Sequence, residues 1–402
     1  MDLFSSPYYK VQKACLTICG AWPYQNDCNY LVIQKIFLTA TLIFVLIPEV
    51  IVVVNQYKDF DTFMACLPFL SAAIMALVKS NPLYFNNNEV KILLEELQCN
   101  WEDFRNMKSE MSIIKSYANI GKQISIICVG SIYIVATCYY LMSCIAPVLD
   151  LILPLNESRS RVLIFGGDFY GHTEEHFFLL LTMEFFGAIC AGHLILTLDI
   201  LYITLMFHSC GTFAVLCHRL QNIEMNNFKN QKYQLVGVNL AANQDQMIYH
   251  YLSTCIQLHI RNIKYGERIN SLFNVAFFFD LLFGSLIACL SAVKFVISIK
   301  EPNQRVRYGF LYVTQSVRIF CNMLPGQLLI DHSSRVKLAA SRSKWYDLSE
   351  KSKKLVLILI MRAEKPTRFV VGRLFVMNIE LFSLITRTCL SYCTIILSVQ
   401  KN

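Results

Sequence analysis

The run His172-Thr173-Glu174-Glu175-His176 stands out as a group able to do chemistry. On a helix its H-x-x-E-H spacing would set two imidazoles one turn apart with a carboxylate beside them, the arrangement of an inverted zinc-protease motif. A catalytic zinc needs a third protein ligand, and none is evident. The run also sits at the mouth of a long apolar stretch, so it reads as a polar lead-in to a membrane helix. The 16 cysteines do not supply a metal or redox centre either. No C-x-x-C pair occurs, and most (Cys66, Cys128, Cys138, Cys190, Cys289, Cys393) lie inside apolar runs, where Cys behaves as a small hydrophobe. No catalytic residue, metal or cofactor is expected, and an enzyme is the least favoured class.

A second set of chemically able residues is ionisable and embedded in apolar sequence: Lys35, Glu49, Lys79, Glu184, Asp199, Asp280, Arg318 and Arg387. Charge in lipid costs several kcal/mol unless it is paired or hydrated, so such residues mark polar contacts or pathways. Lys35 and Glu49 lie near the ends of their runs and are expected to snorkel to the interface. Glu184, Asp199, Asp280 and Arg318 lie deeper. They are expected to pair between helices or face a water-filled vestibule, with direct ligand contact as the alternative.

The elements holding these residues are membrane helices. The chain is 55% hydrophobic and 16% charged, with mean hydropathy +0.44, and its apolar residues come in runs rather than alternating. Seven spans are predicted, at about 31–54, 62–84, 124–148, 177–207, 272–299, 308–330 and 378–399, each long enough at ~1.5 Å per residue to cross a bilayer. Residues 1–30 form a polar arm with aromatics and no cleavable signal pattern. Residues 86–121 read as a helix or a helical extension. Between 208 and 270 a polar stretch, 221–246, precedes an amphipathic helix carrying Tyr249, Leu252, Ile256, His259, Ile260 and Ile263. The fold class is all-α and polytopic. It divides into residues 1–331, with helices one to six, and residues 332–402, with a basic amphipathic helix and the last span.

Seven is odd, so the termini lie on opposite sides. With the N-terminus in the cytoplasm, about 24 Lys and Arg fall inside against about 7 outside, which satisfies the positive-inside rule. That orientation puts Asn156-Glu157-Ser158, a glycosylation triplet, outside. A G-protein-coupled receptor has the opposite orientation. It would also carry an Asp-Arg-Tyr after the third span, which is missing here.

The outer halves of several spans are rich in aromatics, Met and small polar groups: Met64, Phe69, Tyr139, Met142, Ser143, Phe178, Phe185, Phe186, Tyr312 and Gln315. At one common depth these would line an apolar cavity with a few polar handles, which suits a small neutral ligand. Pro325-Gly326 would kink the sixth span, as a hinge or as a redirection. In the last span Tyr392, Ile395, Ile396 and Val399 form one stripe, and Thr388, Ser391, Thr394 and Ser398 a second, hydroxyl-bearing one. The first reads either as a packed face or, beside the second, as an apolar gate on a narrow water path.

The whole chain resembles the insect odorant receptors, most specifically where Lys353-Lys354-Leu355, Met361-Arg362-Ala363 and Lys365-Pro366 precede a last helix with Ser391-Tyr392. It is similar to the ligand-tuning members rather than to the longer shared coreceptor. The resemblance implies a tetrameric odorant-gated cation channel in the plasma membrane, opened by a small volatile ligand and assembled with a coreceptor. It places the apolar gate on Ile395 and Val399 and the polar filter-side position on Ser398. The alternatives are a homomeric gustatory-type channel and, less favoured, a metabotropic seven-helix receptor. A nucleic-acid partner is not expected.

Overall fold

Long apolar backbone satisfies its own N–H and C=O groups within a membrane only as helix, and helix dominates the chain. The computed structural model describes residues 3–25, 28–55, 60–153, 159, 161–165, 174–223, 244–298 and 301–401. Ten α-helices are described in it: α1 (Lys10–Ile18), α2 (Cys28–Asn55), α3 (Phe60–Phe85), α4 (Asn87–Phe104), α5 (Lys108–Ile152), α6 (Phe177–Gln221), α7 (Gln244–Ile297), α8 (Pro302–Arg342), α9 (Glu350–Ala363) and α10 (Ile379–Lys401). Two short strands, β1 (Val370–Val371) and β2 (Phe375–Val376), lie between α9 and α10.

The seven predicted spans fall in α2, α3, α5, α6, α7, α8 and α10. Of these, α2, α3, α5, α6 and α7 are long and apolar enough to cross a membrane by length and composition alone. The other two are diluted by polar residues, Gln315, Arg318 and Asn322 in α8 and Glu380 and Arg387 in α10. Three helices are much longer than a bilayer. α5 and α6 each have 45 residues and α7 has 54, lengths of about 68 and 81 Å against a hydrocarbon core of ~30 Å. The excess gathers at one end of the bundle with α1, α4 and α9, hereafter the basic end. The amphipathic segment expected around 249–263 is thus the first half of α7, continuous with the fifth span. The expected division at 331/332 falls inside the unbroken α8. The Asn156 triplet, His172 and most of the polar stretch after residue 221 lie outside the described residues.

The main core sits at the basic end and follows α6, where nearly every residue from Leu194 to Leu216 is buried. α5 instead exposes Ile126, Ile127, Ile134 and Leu141, an apolar flank suited to lipid. The N-terminal arm, which reads as polar in sequence, is part of the core. Phe4, Tyr9 and Leu16 are buried, and the Trp101 indole N–H donates to the Tyr9 hydroxyl at 2.8 Å. Its aromatics bury more apolar area than its polar average suggests.

The entry to α10 is built by the hairpin. β1 and β2 pair Val370 with Val376 and Val371 with Phe375. That register leaves a three-residue loop, Gly372 to Leu374; Gly372 and Arg373 both have φ of +60°, and Leu374 N–H donates to the Val371 carbonyl at 3.1 Å. Two asparagines one helical turn apart pin the hairpin to α7. Asn270 Oδ1 accepts from Val370 N–H and Asn274 Oδ1 from Gly372 N–H, each at 2.6 Å. An i,i+4 step on a helix (~6 Å) matches an i,i+2 step on a strand (~6.6 Å), so both bonds form together. Pro325 lies within a continuous α8. A Cβ on Gly326 would run into the Met377 carbonyl oxygen. The role of Gly326 is to admit the chain into α10 at close range.

Candidate functional site

Four helices meet in a buried charge cluster. Lys79 on α3 contacts Asp199 on α6 at 2.5 Å and Asp280 on α7 at 2.7 Å. Arg318 on α8 reaches Asp280 at 2.7 Å and Asp199 at 3.4 Å. The Asn322 amide, one turn along from Arg318, donates to both carboxylates at 3.2 Å. Two cations and two carboxylates make the cluster neutral, and all four charges have partners, as burial in lipid requires. The expected pairing of Asp199, Asp280 and Arg318 between helices is therefore present. Lys79 closes the cluster, with its ammonium also over the Phe277 ring at 5.1 Å. Gln315 belongs to its rim, donating to the Gly284 carbonyl and accepting from Arg318 Nε, both at 3.2 Å.

A second polar group lies toward the end of the bundle opposite the basic end. Glu184 on α6 accepts from Phe165 N–H at 3.2 Å. Glu49 on α2 is 2% exposed, and neither of its carboxylate oxygens has a hydrogen-bond partner among the described residues. It does not snorkel, as its position near the end of its apolar run had suggested. α2 crosses α6 too closely there: a Cβ on Gly187 would meet the Val45 side chain, which encloses Glu49 one turn further on. The Arg307 guanidinium of α8 stands over the Phe69 ring at 5.4 Å and the Tyr139 ring at 5.7 Å. The Tyr139 hydroxyl donates to the Arg307 carbonyl at 3.0 Å. Arg307 Nε is also buried without a partner among the described residues. Aromatic walls beside a buried carboxylate and a guanidinium whose Nε has no partner among the described residues form a setting that a small molecule with one polar group can complete.

The predicted pocket residues divide between these neighbourhoods. Phe69 and Tyr139 lie at the Arg307 group, with Phe69 edge-on to Phe165 at 5.5 Å. Ser143 is buried and Met142 half-buried on α5. Phe185 packs on Tyr140 at 5.2 Å. Met64 and Tyr312 share an apolar cluster with Leu290, Ala292 and Val293 of α7 and Cys393 of α10. Phe178 and Phe186 are 56% and 59% exposed on the outer flank of α6, away from the bundle interior. Arg307, Phe165 and Asn322 were not singled out in the sequence. Arg307 precedes the predicted sixth span by one residue, and Asn322 carries no charge; its i+4 spacing from Arg318 was the available signal.

On α10 one side packs, through Leu381, Cys389 and Cys393. Tyr392 and Ile395 are 53% and 54% exposed, and Thr388, Ser391, Thr394 and Ser398 are exposed with them. A packed face for Tyr392 and Ile395 is thus not what a single chain provides. The Val399 side chain lies outside the described residues. Among the described residues no group of three His, Cys, Asp or Glu could hold a metal. His176 and Glu175 are exposed at the start of α6.

Known proteins resemble the chain in both sequence and fold. The chain is 25% identical to Odorant receptor 10 of Aedes albopictus over 202 residues, 49% of this chain and 50% of that protein. It is 26% identical to Odorant receptor 67c of Drosophila melanogaster over 180 residues, 45% of this chain and 40% of that protein. It spans half or less of the length of these relatives. The insect olfactory receptor OR5 from Machilis hrabei, solved in complex with eugenol, has the same fold, with a TM-score of 0.76 over 98% of this chain and 97% of that one at 16% identity. The model of the 7tm Odorant receptor family matches residues 59–390, from the start of α3 into α10. The chain belongs to the 7tm odorant receptor family.

Proposed function

We propose that the chain is an odorant-gated cation channel subunit of the plasma membrane that assembles with an olfactory coreceptor. A small volatile ligand binds at the end of the bundle away from the basic end, and a pore lined by α10 opens. The N-terminus and the basic end face the cytoplasm. The observation that carries the reading is the unpartnered face of α10. Thr388, Ser391, Thr394, Ser398 and Ile395 are exposed in one chain, while the opposite side is packed. A helix that shares a central pore with neighbouring subunits needs that division, and exposed apolar side chains beside hydroxyls suit a gate that closes by dewetting. In this reading Ile395 and Val399 form the gate and Ser398 the polar position beside it.

Phe69, Tyr139, Met64 and Tyr312, with Met142, Ser143 and Phe185 nearby, frame the ligand region. Glu49 and Arg307 supply its polar handles. The Machilis relative was solved with eugenol, a small aromatic, which supports a ligand of that size. The apolar cluster that joins Met64 and Tyr312 to Cys393 through Leu290, Ala292 and Val293 of α7 offers a mechanical route from ligand region to pore helix. Ile395→Ala tests the gate: in heteromers of verified surface expression, basal current or rectification is expected to change. Currents identical to wild type would remove Ile395 from the gate.

A further inference from the structure

At the basic end a cavity of about 660 Å³ opens between α7, the end of α9 and the segment leading to the hairpin. Arg362, Lys365 and Arg368 line it, with Glu267, Asn270 and Thr367 opposite. The three cations differ from those around them. Arg261 pairs with Asp103 at 2.8 Å, Arg268 with Glu96 at 3.0 Å and Lys337 with Glu364 at 3.0 Å. Arg362, Lys365 and Arg368 have no carboxylate within 4.0 Å among the described residues, and the Arg362 guanidinium reaches only the Lys365 carbonyl, at 3.5 Å. Asn270 spends its carbonyl on Val370 N–H, which leaves its amide donors for the cavity. Three cations and an amide face one carboxylate, so the cavity has a net positive field and an excess of donors.

We infer that this cavity binds a phosphate-bearing anion, gripped by Arg362, Lys365 and Arg368 with Asn270 as a neutral donor. Guanidinium groups suit phosphate oxygens by charge and by paired donors. The position favours a source in the bilayer. Asn270 and Glu267 precede the apolar run that starts at Leu272 by two and five residues, about 3 and 8 Å along the helix. In the proposed orientation that is the headgroup depth of the cytoplasmic leaflet, where basic pockets between helices take phosphoinositide headgroups. A soluble polyphosphate offers the same chemistry. Either ligand would tie α7 to the strand that feeds α10.

The test uses the purified full-length chain in detergent and reads the unfolding midpoint against ligand concentration. The probes are short-chain phosphatidylinositol bisphosphate, inositol trisphosphate and short-chain phosphatidylcholine. Saturable stabilisation by both phosphate probes, or by the lipid alone, with apparent affinity at least tenfold weaker in Arg362→Gln/Arg368→Gln, supports the site and marks the lipid as an occupant. Stabilisation by inositol trisphosphate alone, lost in the same variant, supports the site with a soluble occupant. The variant must keep the wild-type midpoint without ligand; Lys365→Gln alone serves if it does not. No saturable effect from either phosphate probe, an equal effect from phosphatidylcholine, or full affinity in the variants overturns the inference. The readout involves no current, so its failure leaves the channel reading untouched.

Discussion

Removing Lys79 tests whether the buried cluster joins helices by charge or merely fills space. In Lys79→Met the stem volume is nearly kept and the ammonium is lost. Asp199 and Asp280 are then left with Arg318 as their only cation, 3.4 and 2.7 Å away, and the cluster carries a net negative charge inside the bundle. Breaking a buried pair by removing one partner costs about 3–5 kcal/mol, because the remaining charge is uncompensated. Against marginal stabilities of ~5–15 kcal/mol that should sharply reduce folded protein. Lys79→Met/Asp280→Asn restores neutrality, leaving Arg318 on Asp199 and Asn322 available to the new amide. The assay is the thermal midpoint and yield of purified chain for both singles and the double. The double variant is expected to recover at least half of the loss in Lys79→Met. Two additive losses would refute the charge-balance argument, and an unaffected Lys79→Met would refute burial of a needed cation.

Gly326→Ala drives a methyl into the Met377 carbonyl oxygen, a backbone atom that cannot swing aside, an overpacking cost of ~1–3 kcal/mol, read as a lower midpoint and surface level. Asn274→Ala strips Gly372 N–H of its acceptor at 2.6 Å, an expected loss of ~1–3 kcal/mol, with Asn274→Asp the milder change in the same melting assay. His259, buried on α7 against the Phe213 ring, is held down to about 4 by burial, with Arg362 adding to the effect. An unfolded histidine titrates near 6.5, so the unfolded chain takes up protons first as pH falls, and stability is lost from pH ~6.5 down to ~4, by roughly 2 kcal/mol at pH 5. His259→Phe is expected to flatten the pH dependence of the midpoint between pH 7 and 5; an unchanged slope would show that other groups cause it.

Helix number and placement were legible because lipid imposes long apolar runs. Even α8 and α10, with Arg318 and Arg387 inside them, showed enough of the pattern. Helix ends were not legible. Nothing in a hydropathy run shows that α5, α6 and α7 continue as single helices beyond it, since the same backbone geometry carries on into the basic end. The charged residues in spans announced a polar cluster, but not which helices face each other; that depends on packing of α3, α6, α7 and α8, and Asn322 was overlooked for want of charge. The hairpin went unread inside an apparent linker, although Val-Val-Gly-Arg-Leu-Phe-Val carries β-branched and aromatic residues around a turn glycine. Pocket residues were the least legible. Depth along a helix can be counted, but the facing side cannot, and so Phe178 and Phe186 were grouped with Phe69 and Tyr139 although they face outward.

The most direct test of the central claim is whole-cell current from cells expressing this chain alone, a coreceptor alone and both together, against a broad panel of volatiles, with surface expression confirmed by a tag. The account predicts a fast cation current evoked by one or more volatiles from the pair, absent from the coreceptor alone and from this chain alone. An equal evoked current from this chain by itself would contradict assembly with a coreceptor, and the absence of any evoked current from a surface-expressed pair would contradict the odorant-gated channel.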